Sequence, residues 1–132
     1  MGLLKNLMIK AHRRTGDRFM GMDLLYLTTV GAKSGEKRQS PVARFADGDA
    51  WLIAATNSGK PQHPSWYFNV RAHPDQVWFE HGKQTVHARV EELEGERRDA
   101  AWQQIIASQP RFAPYEDKTD RTIPVIRLTR TA

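Results

Sequence analysis

The stretch Gly31-Ala32-Lys33-Ser34-Gly35-Glu36-Lys37-Arg38 gathers groups that bind anions. Two glycines let a backbone turn tightly and aim successive N–H groups at one point, a nest suited to phosphate. Lys33 adds a compact positive charge, Ser34 a hydroxyl donor, and Arg38 a planar fork that matches phosphate or carboxylate oxygens. The spacing is not that of a Walker loop, and no Gly-Lys-Ser/Thr closes the run. The same residues also fit an ordinary hairpin loop with solvated charges.

A second constellation runs from Thr56 through Asn57, Gly59, His63 and Pro64 to Trp66 and Tyr67. A polar loop here leads into a helix N-terminus, whose free N–H groups and dipole favour negative charge. Trp66 and Tyr67 could wall a planar ring; alternatively, Trp66 and Phe68 belong to the core. His63 reads as structural or exposed, with general acid or ligand as the other roles. A third segment, Pro110 to Tyr115, has the aromatics and prolines of a lid or pocket wall. Tyr115 is its candidate catalytic group, a phenol able to hydrogen-bond a reducible oxygen. Asp120 and Arg121, just beyond, read as a local ion pair organising the approach to the last strand.

These segments need a frame, and the hydrophobic pattern supplies one. Leu3, Leu4, Leu7, Met8 and Ala11 recur at helical spacing, so residues 3–14 read as an amphipathic helix within an N-terminal segment 1–16. It either covers a core or lies on an acidic membrane. The period then changes to two. Strands are expected at 24–30, 38–46, 50–56, 76–80, 84–93 and 123–129. Pro41 implies an edge position or a bulge in the second of these, because proline cannot donate to a ladder. A short middle helix is expected at 65–72, opened by Pro64 and ended before Pro74. A longer late helix is expected at 95–108, followed by a loop over 109–121. Six short strands with helices inserted between them suggest a mainly β, antiparallel barrel with helices at its rim. The βαβ alternation of a doubly wound nucleotide fold is absent.

Composition narrows the function. The 132 residues fit one domain, 1–132. The net charge of +5 is unevenly placed: residues 1–44 carry nine Lys/Arg against three Asp/Glu, and the remainder eleven against twelve. A localised positive field favours an anionic partner. There is no cysteine, which excludes disulfides, thiolate metal sites and cysteine nucleophiles. The five histidines show no metal-ligand spacing, so no metal is expected. No acyl-transfer elbow and no nucleic-acid motif is present, so no nucleic-acid partner is expected. No run of 18 apolar residues and no signal peptide is seen. A cytoplasmic location is expected, with peripheral membrane contact through the N-terminal helix.

Taken together, Leu27-Thr28-Thr29-Val30-Gly31, Lys33-Ser34-Gly35, Arg38 and Pro41 resemble the deazaflavin-dependent nitroreductase and quinone reductase family. So do Ala54-Ala55-Thr56-Asn57, His63-Pro64, Trp66-Tyr67, Asn69 and Pro74, and finally Thr119 to Pro124. The resemblance covers residues from about 24 to the end. It implies a split β-barrel like that of flavin-binding relatives, and hydride transfer from reduced coenzyme F420 (an 8-hydroxy-5-deazaflavin) to a quinone, enone or nitro compound. Flavin mononucleotide is the alternative cofactor, and a non-catalytic coenzyme-binding protein the alternative function. The resemblance further implies the coenzyme's phosphate and acidic tail near Lys33, Ser34, Gly35 and Arg38. The ring would lie by Pro41, Ala55, Thr56, Asn57 and Trp66, with substrate near the N-terminal helix and Tyr115. The chain departs from the family pattern at Ala32, where members often carry Arg, and at Ser58-Gly59, where many have Gly-Gly. Of several late tyrosines in nitroimidazole-reducing relatives, this chain matches one, Tyr115.

Overall fold

The computed structural model describes residues 18–19, 21–81 and 83–131. The helix expected at 3–14 lies outside them. The strands in chain order are β1 (Arg18–Phe19), β2 (Met22–Val30), β3 (Lys37–Ala43), β4 (Phe45–Asp47), β5 (Ala50–Ala54), β6 (Trp78–His81), β7 (Gln84–Glu92) and β8 (Val125–Arg130). The helices are α1 (Ser65–Ala72), α2 (Gly95–Ser108) and α3 (Ala113–Asp117). All strand pairings are antiparallel, in the order β1-β2-β6-β7-β8-β5-β4, with β3 on the other edge of β2.

That order curls the sheet. β3 pairs with β2 and β4 pairs with β5, yet a single residue, Arg44, separates β3 from β4. One bent strand therefore joins the two ends of the sheet. The expected strand at 38–46 breaks at this corner, which, with the two-residue β1, turns six expected strands into eight. Arg44 holds the corner from both sides. Its amide donates to the Asp23 carbonyl at 2.9 Å, its Nη1 donates to the Leu24 carbonyl, and its guanidinium lies 5.0 Å from the Trp51 ring centroid. Pro41 sits opposite Tyr26 in β3, which pairs only with β2, as a residue without an N–H requires.

Period-two alternation separates two apolar clusters. Leu25, Leu27, Ile53, Phe79, Ile126 and Leu128 face inward, and Trp66, Tyr67 and Val70 of α1 pack onto them. Leu52 and Val125, one residue out of phase, turn the other way and meet Ala101, Trp102 and Ile105 of α2. The segment expected as a loop over 109–121 contains a 3₁₀ turn, Pro110–Phe112, and then α3. Each begins with a proline in its first two positions, where a missing N–H costs nothing because no intrahelical partner exists there.

Trp102 is almost wholly buried in the second cluster, whereas Phe68 on α1 is 49 % exposed. Trp102→Ala should lower unfolding free energy by about 3–5 kcal/mol through lost contacts and a residual cavity. Phe68→Ala should stay within about 0.5 kcal/mol. Urea denaturation of both variants checks the contrast; equal losses would contradict this assignment of the core.

Candidate active site

The first anion-binding segment forms the β2–β3 turn. The Gly31 amide donates to the Glu36 carbonyl at 2.8 Å and the Gly35 amide to the Gly31 carbonyl at 3.0 Å. Gly35 has φ +71°, a left-handed value that suits a residue without Cβ. A Cβ on Gly31 would lie 2.3 Å from Ser34 Oγ, so a side chain there would force that hydroxyl out of its place. Ser34 Oγ also accepts from the Glu36 amide at 3.2 Å. From α1, Asn69 Oδ1 accepts from the Ala32 amide at 2.9 Å, while its Nδ2 donates to Thr29 Oγ1 at 3.1 Å. Asn69 and Thr29 are both buried, so this pair pins the turn to the barrel. The nest is thus smaller than two glycines suggest. Among the described residues only the Lys33 and Ser34 amides in the turn are left without a partner.

A cavity of about 510 Å³ opens beside this turn. Lys33, Ser34 and Arg38 line it, with Ser40, Ser65 and Trp66. Its lining carries two cations, three serine hydroxyls and no carboxylate. Arg38 pairs with Glu36 at 3.3 Å, but both side chains are more than half exposed, so the contact is weak and leaves the guanidinium available.

A second cavity of about 370 Å³ lies at the barrel corner. Pro41, Val42 and Ala43 of β3 form one wall, Thr56 and Asn57 another, and Tyr115 and Phe112 a third. Trp66 lines both cavities. It is 8 % exposed and also belongs to the inner cluster, so the core reading and the wall reading hold together. β3 runs along both: Arg38 faces the cationic cavity, and Pro41 faces the apolar one three residues, or roughly 10 Å, further on. Tyr115 stacks on Phe112 with centroids 5.6 Å apart at 29°, and Lys118 Nζ lies 5.4 Å from the Tyr115 ring centroid.

Two of the residues expected to hold the coenzyme line neither cavity. Gly35 shapes the turn, and Ala55 is fully buried in the inner cluster. Strand alternation places its neighbour Ala54 on the cavity wall instead. Tyr67 also turns away from both. Its hydroxyl lies 2.9 Å from Glu92 Oε1 in a separate cavity of about 300 Å³, and burial, then Glu92, pushes the phenol's pKa up. Phe68 is exposed and not core.

Arg121 is corrected as well. It does not form the expected pair with Asp120. Its Nη1 donates to the Ala55 carbonyl and to His63 Nδ1, each at 3.0 Å. Its Nη2 donates to the Thr56 carbonyl at 2.7 Å and its Nε to the Lys60 carbonyl at 3.0 Å. Inside the loop so held, Asn57, Ser58 and Gly59 all have left-handed φ, +47°, +56° and +78°. Such values cost a residue with Cβ about 1–2 kcal/mol. Ser58 thus holds, under strain, the conformation that a glycine would take freely. Asn69 carried no structural role in the sequence reading, and Arg121 was given the wrong partner. The available signals were a polar residue three positions after Trp66 on a helix face, and an arginine with more donors than one aspartate can use.

A curled antiparallel sheet with a cationic cavity and an apolar one sharing a tryptophan wall defines a split-barrel protein with room for an elongated anionic ligand. Residues 5–130 match the F420H(2)-dependent quinone reductase family, and the chain belongs to that family. It is 36 % identical over 121 residues to an F420H(2)-dependent quinone reductase of Mycobacterium tuberculosis, covering 89 % of this chain and 80 % of that one. Among solved structures, an F420-H2 dependent reductase, FDR-A, is 40 % identical with a TM-score of 0.71, over 80 % of this chain and 92 % of that chain. A structure described as a domain-swapped dimer is 35 % identical with a TM-score of 0.72, over 96 % and 97 %.

His63 provides a pH test of this site. Burial, then the charge of Arg121, lowers its pKa; Glu92 opposes and Arg71 reinforces the shift. Arg121 can only donate, so Nδ1 is the acceptor and Nε2 carries the proton in the neutral ring. The folded-state pKa lies below the unfolded value near 6.5. The stabilisation is therefore complete above about pH 6.5 and is lost as pH falls through the lower folded value. The melting temperature of His63→Gln should fall less steeply than that of the parent between about pH 7 and 5. Identical slopes would contradict the assignment.

Proposed function

We propose that this protein transfers a hydride from reduced coenzyme F420 to a small organic acceptor such as a quinone, enone or nitro compound. The observation that carries this reading is Trp66 standing between a cationic cavity and an apolar one along a single strand. An elongated ligand with a phosphate at one end and a planar ring at the other fits that pair. Its donor set suits the coenzyme: Lys33 and Arg38 with the hydroxyls of Ser34, Ser40 and Ser65 for the phosphate, and Pro41, Thr56, Asn57 and Trp66 around the ring. Family membership and the F420-named relatives support the same coenzyme.

The bound coenzyme supplies the hydride, so the protein needs no covalent nucleophile. Its residues supply position and charge. Lys33 and Arg38 anchor the anionic end. Pro41, Val42 and Ala43, with Phe112 opposite, exclude water from the acceptor's place. Tyr115, oriented by its stack on Phe112, donates a hydrogen bond to the acceptor oxygen as negative charge develops there. A cytoplasmic setting, with residues 1–16 resting on the bilayer in which quinones dissolve, belongs to the same reading and rests on the sequence alone.

Fluorescence titration should show tighter binding of coenzyme F420 than of flavin mononucleotide, and the protein should oxidise the reduced coenzyme when given menadione. Binding without turnover across a panel of acceptors would leave a carrier, not an enzyme. Lys33→Ala combined with Arg38→Ala should weaken coenzyme affinity by one to several kcal/mol, at about 1.5–3 kcal/mol per charged hydrogen bond. Unchanged affinity would remove the anion from this cavity. Tyr115→Phe should lower kcat on the order of 100-fold while leaving the coenzyme Kd near its parent value. An unaltered kcat would assign protonation to solvent.

A further inference from the structure

We infer that Arg121 is a positioning residue for the ring cavity, its guanidinium holding the left-handed turn Asn57–Gly59 in the shape that walls that cavity. The inference rests on the coenzyme reading above for its effect on binding, but not for the geometry of the turn. Arg121 does not line the cavity; Asn57 and Ser58 do.

Three successive left-handed residues are an unusual demand on a chain of L-amino acids. Only Gly59 meets it without penalty. A Cβ there would also crowd Lys118, 2.9 Å from its Cδ and 3.0 Å from its Cβ. The turn's own bonds are few: the Gly59 amide to the Thr56 carbonyl at 2.9 Å, the Lys60 amide to the Asn57 carbonyl at 3.1 Å, and Asn57 Nδ2 to the Gln62 carbonyl at 2.9 Å. Strain of this kind persists only where surrounding structure over-determines it.

Arg121 provides that surrounding. It takes the carbonyls of Ala55 and Thr56 on one side of the turn and of Lys60 on the other. Those three oxygens converge on one planar fork, so the two ends of the turn cannot separate without breaking charged hydrogen bonds. His63, just beyond the turn, gives the same guanidinium a fourth partner. A lysine gathers its three donors on one nitrogen and cannot hold all four of these partners. Arg121 is itself placed by the Thr119 hydroxyl, which accepts from its amide at 3.3 Å.

The test uses the full chain carrying Arg121→Lys, Ser58→Gly, and both together. Arg121→Lys should weaken binding of coenzyme F420 about ten-fold or more, and should speed amide hydrogen exchange of Gly59 and Lys60 in the ligand-free protein. Ser58→Gly removes the left-handed penalty at one position, so in the double variant most of that affinity should return. Unchanged affinity and unchanged exchange in Arg121→Lys would overturn the inference. So would a loss that Ser58→Gly leaves uncorrected, since that marks a general stabiliser. If Arg121→Lys does not fold, exchange in Arg121→Gln made on the Ser58→Gly background decides: faster at Gly59 and Lys60 than in Ser58→Gly alone supports the inference, and equal rates oppose it. Should the parent not bind the coenzyme while Arg121→Lys still speeds those two amides, the turn-holding role stands and the coenzyme reading fails.

Discussion

The structure depends on one strand serving both ends of a curled sheet. Residues 37–47 pair with β2 over their first part and with β5 over their last, and they bend at Arg44 to do so. A sheet closed in this way leaves a gap on the inside of the bend, where the side chains of two strand directions diverge. The apolar cavity occupies that gap, walled by Ala43 and Phe45 on either side of the corner. Arg44 cannot be replaced there by a small apolar residue without freeing the Leu24 carbonyl and uncovering Trp51.

The same strand sets the spacing of the chemistry. Arg38 near its start faces the cationic cavity and its later residues form the apolar wall, so separation along the strand becomes separation between the two cavities. Trp66 divides the two regions from the opposite side because α1 packs its buried face onto the inner cluster. The asparagine one helical turn later locks the cationic loop to that helix. Core packing and cavity geometry are thus set by the same few contacts. Buried Thr29 and Asn69 tie down the turn beside the cationic cavity, and the fork of Arg121 bonds both sides of the turn beside the apolar one.

Residue types and periods alone determined much of this. Alternating apolar positions marked each principal strand, and Pro64 with Pro74 bounded the short helix closely, because local sterics and burial demands act over a few residues. The two glycines among clustered Lys and Arg marked the β2–β3 turn for the same reason. Only the tertiary structure decided what each group faces. Ala55 and Ala54 are indistinguishable by type, and the register of β5 against β8 sends one into the core and the other to the cavity. Arg121 and Asp120 are adjacent in sequence, yet the guanidinium reaches carbonyls 61 to 66 residues away. Hydrogen-bond partners at that separation are chosen by how the sheet closes, and no local pattern carries that information.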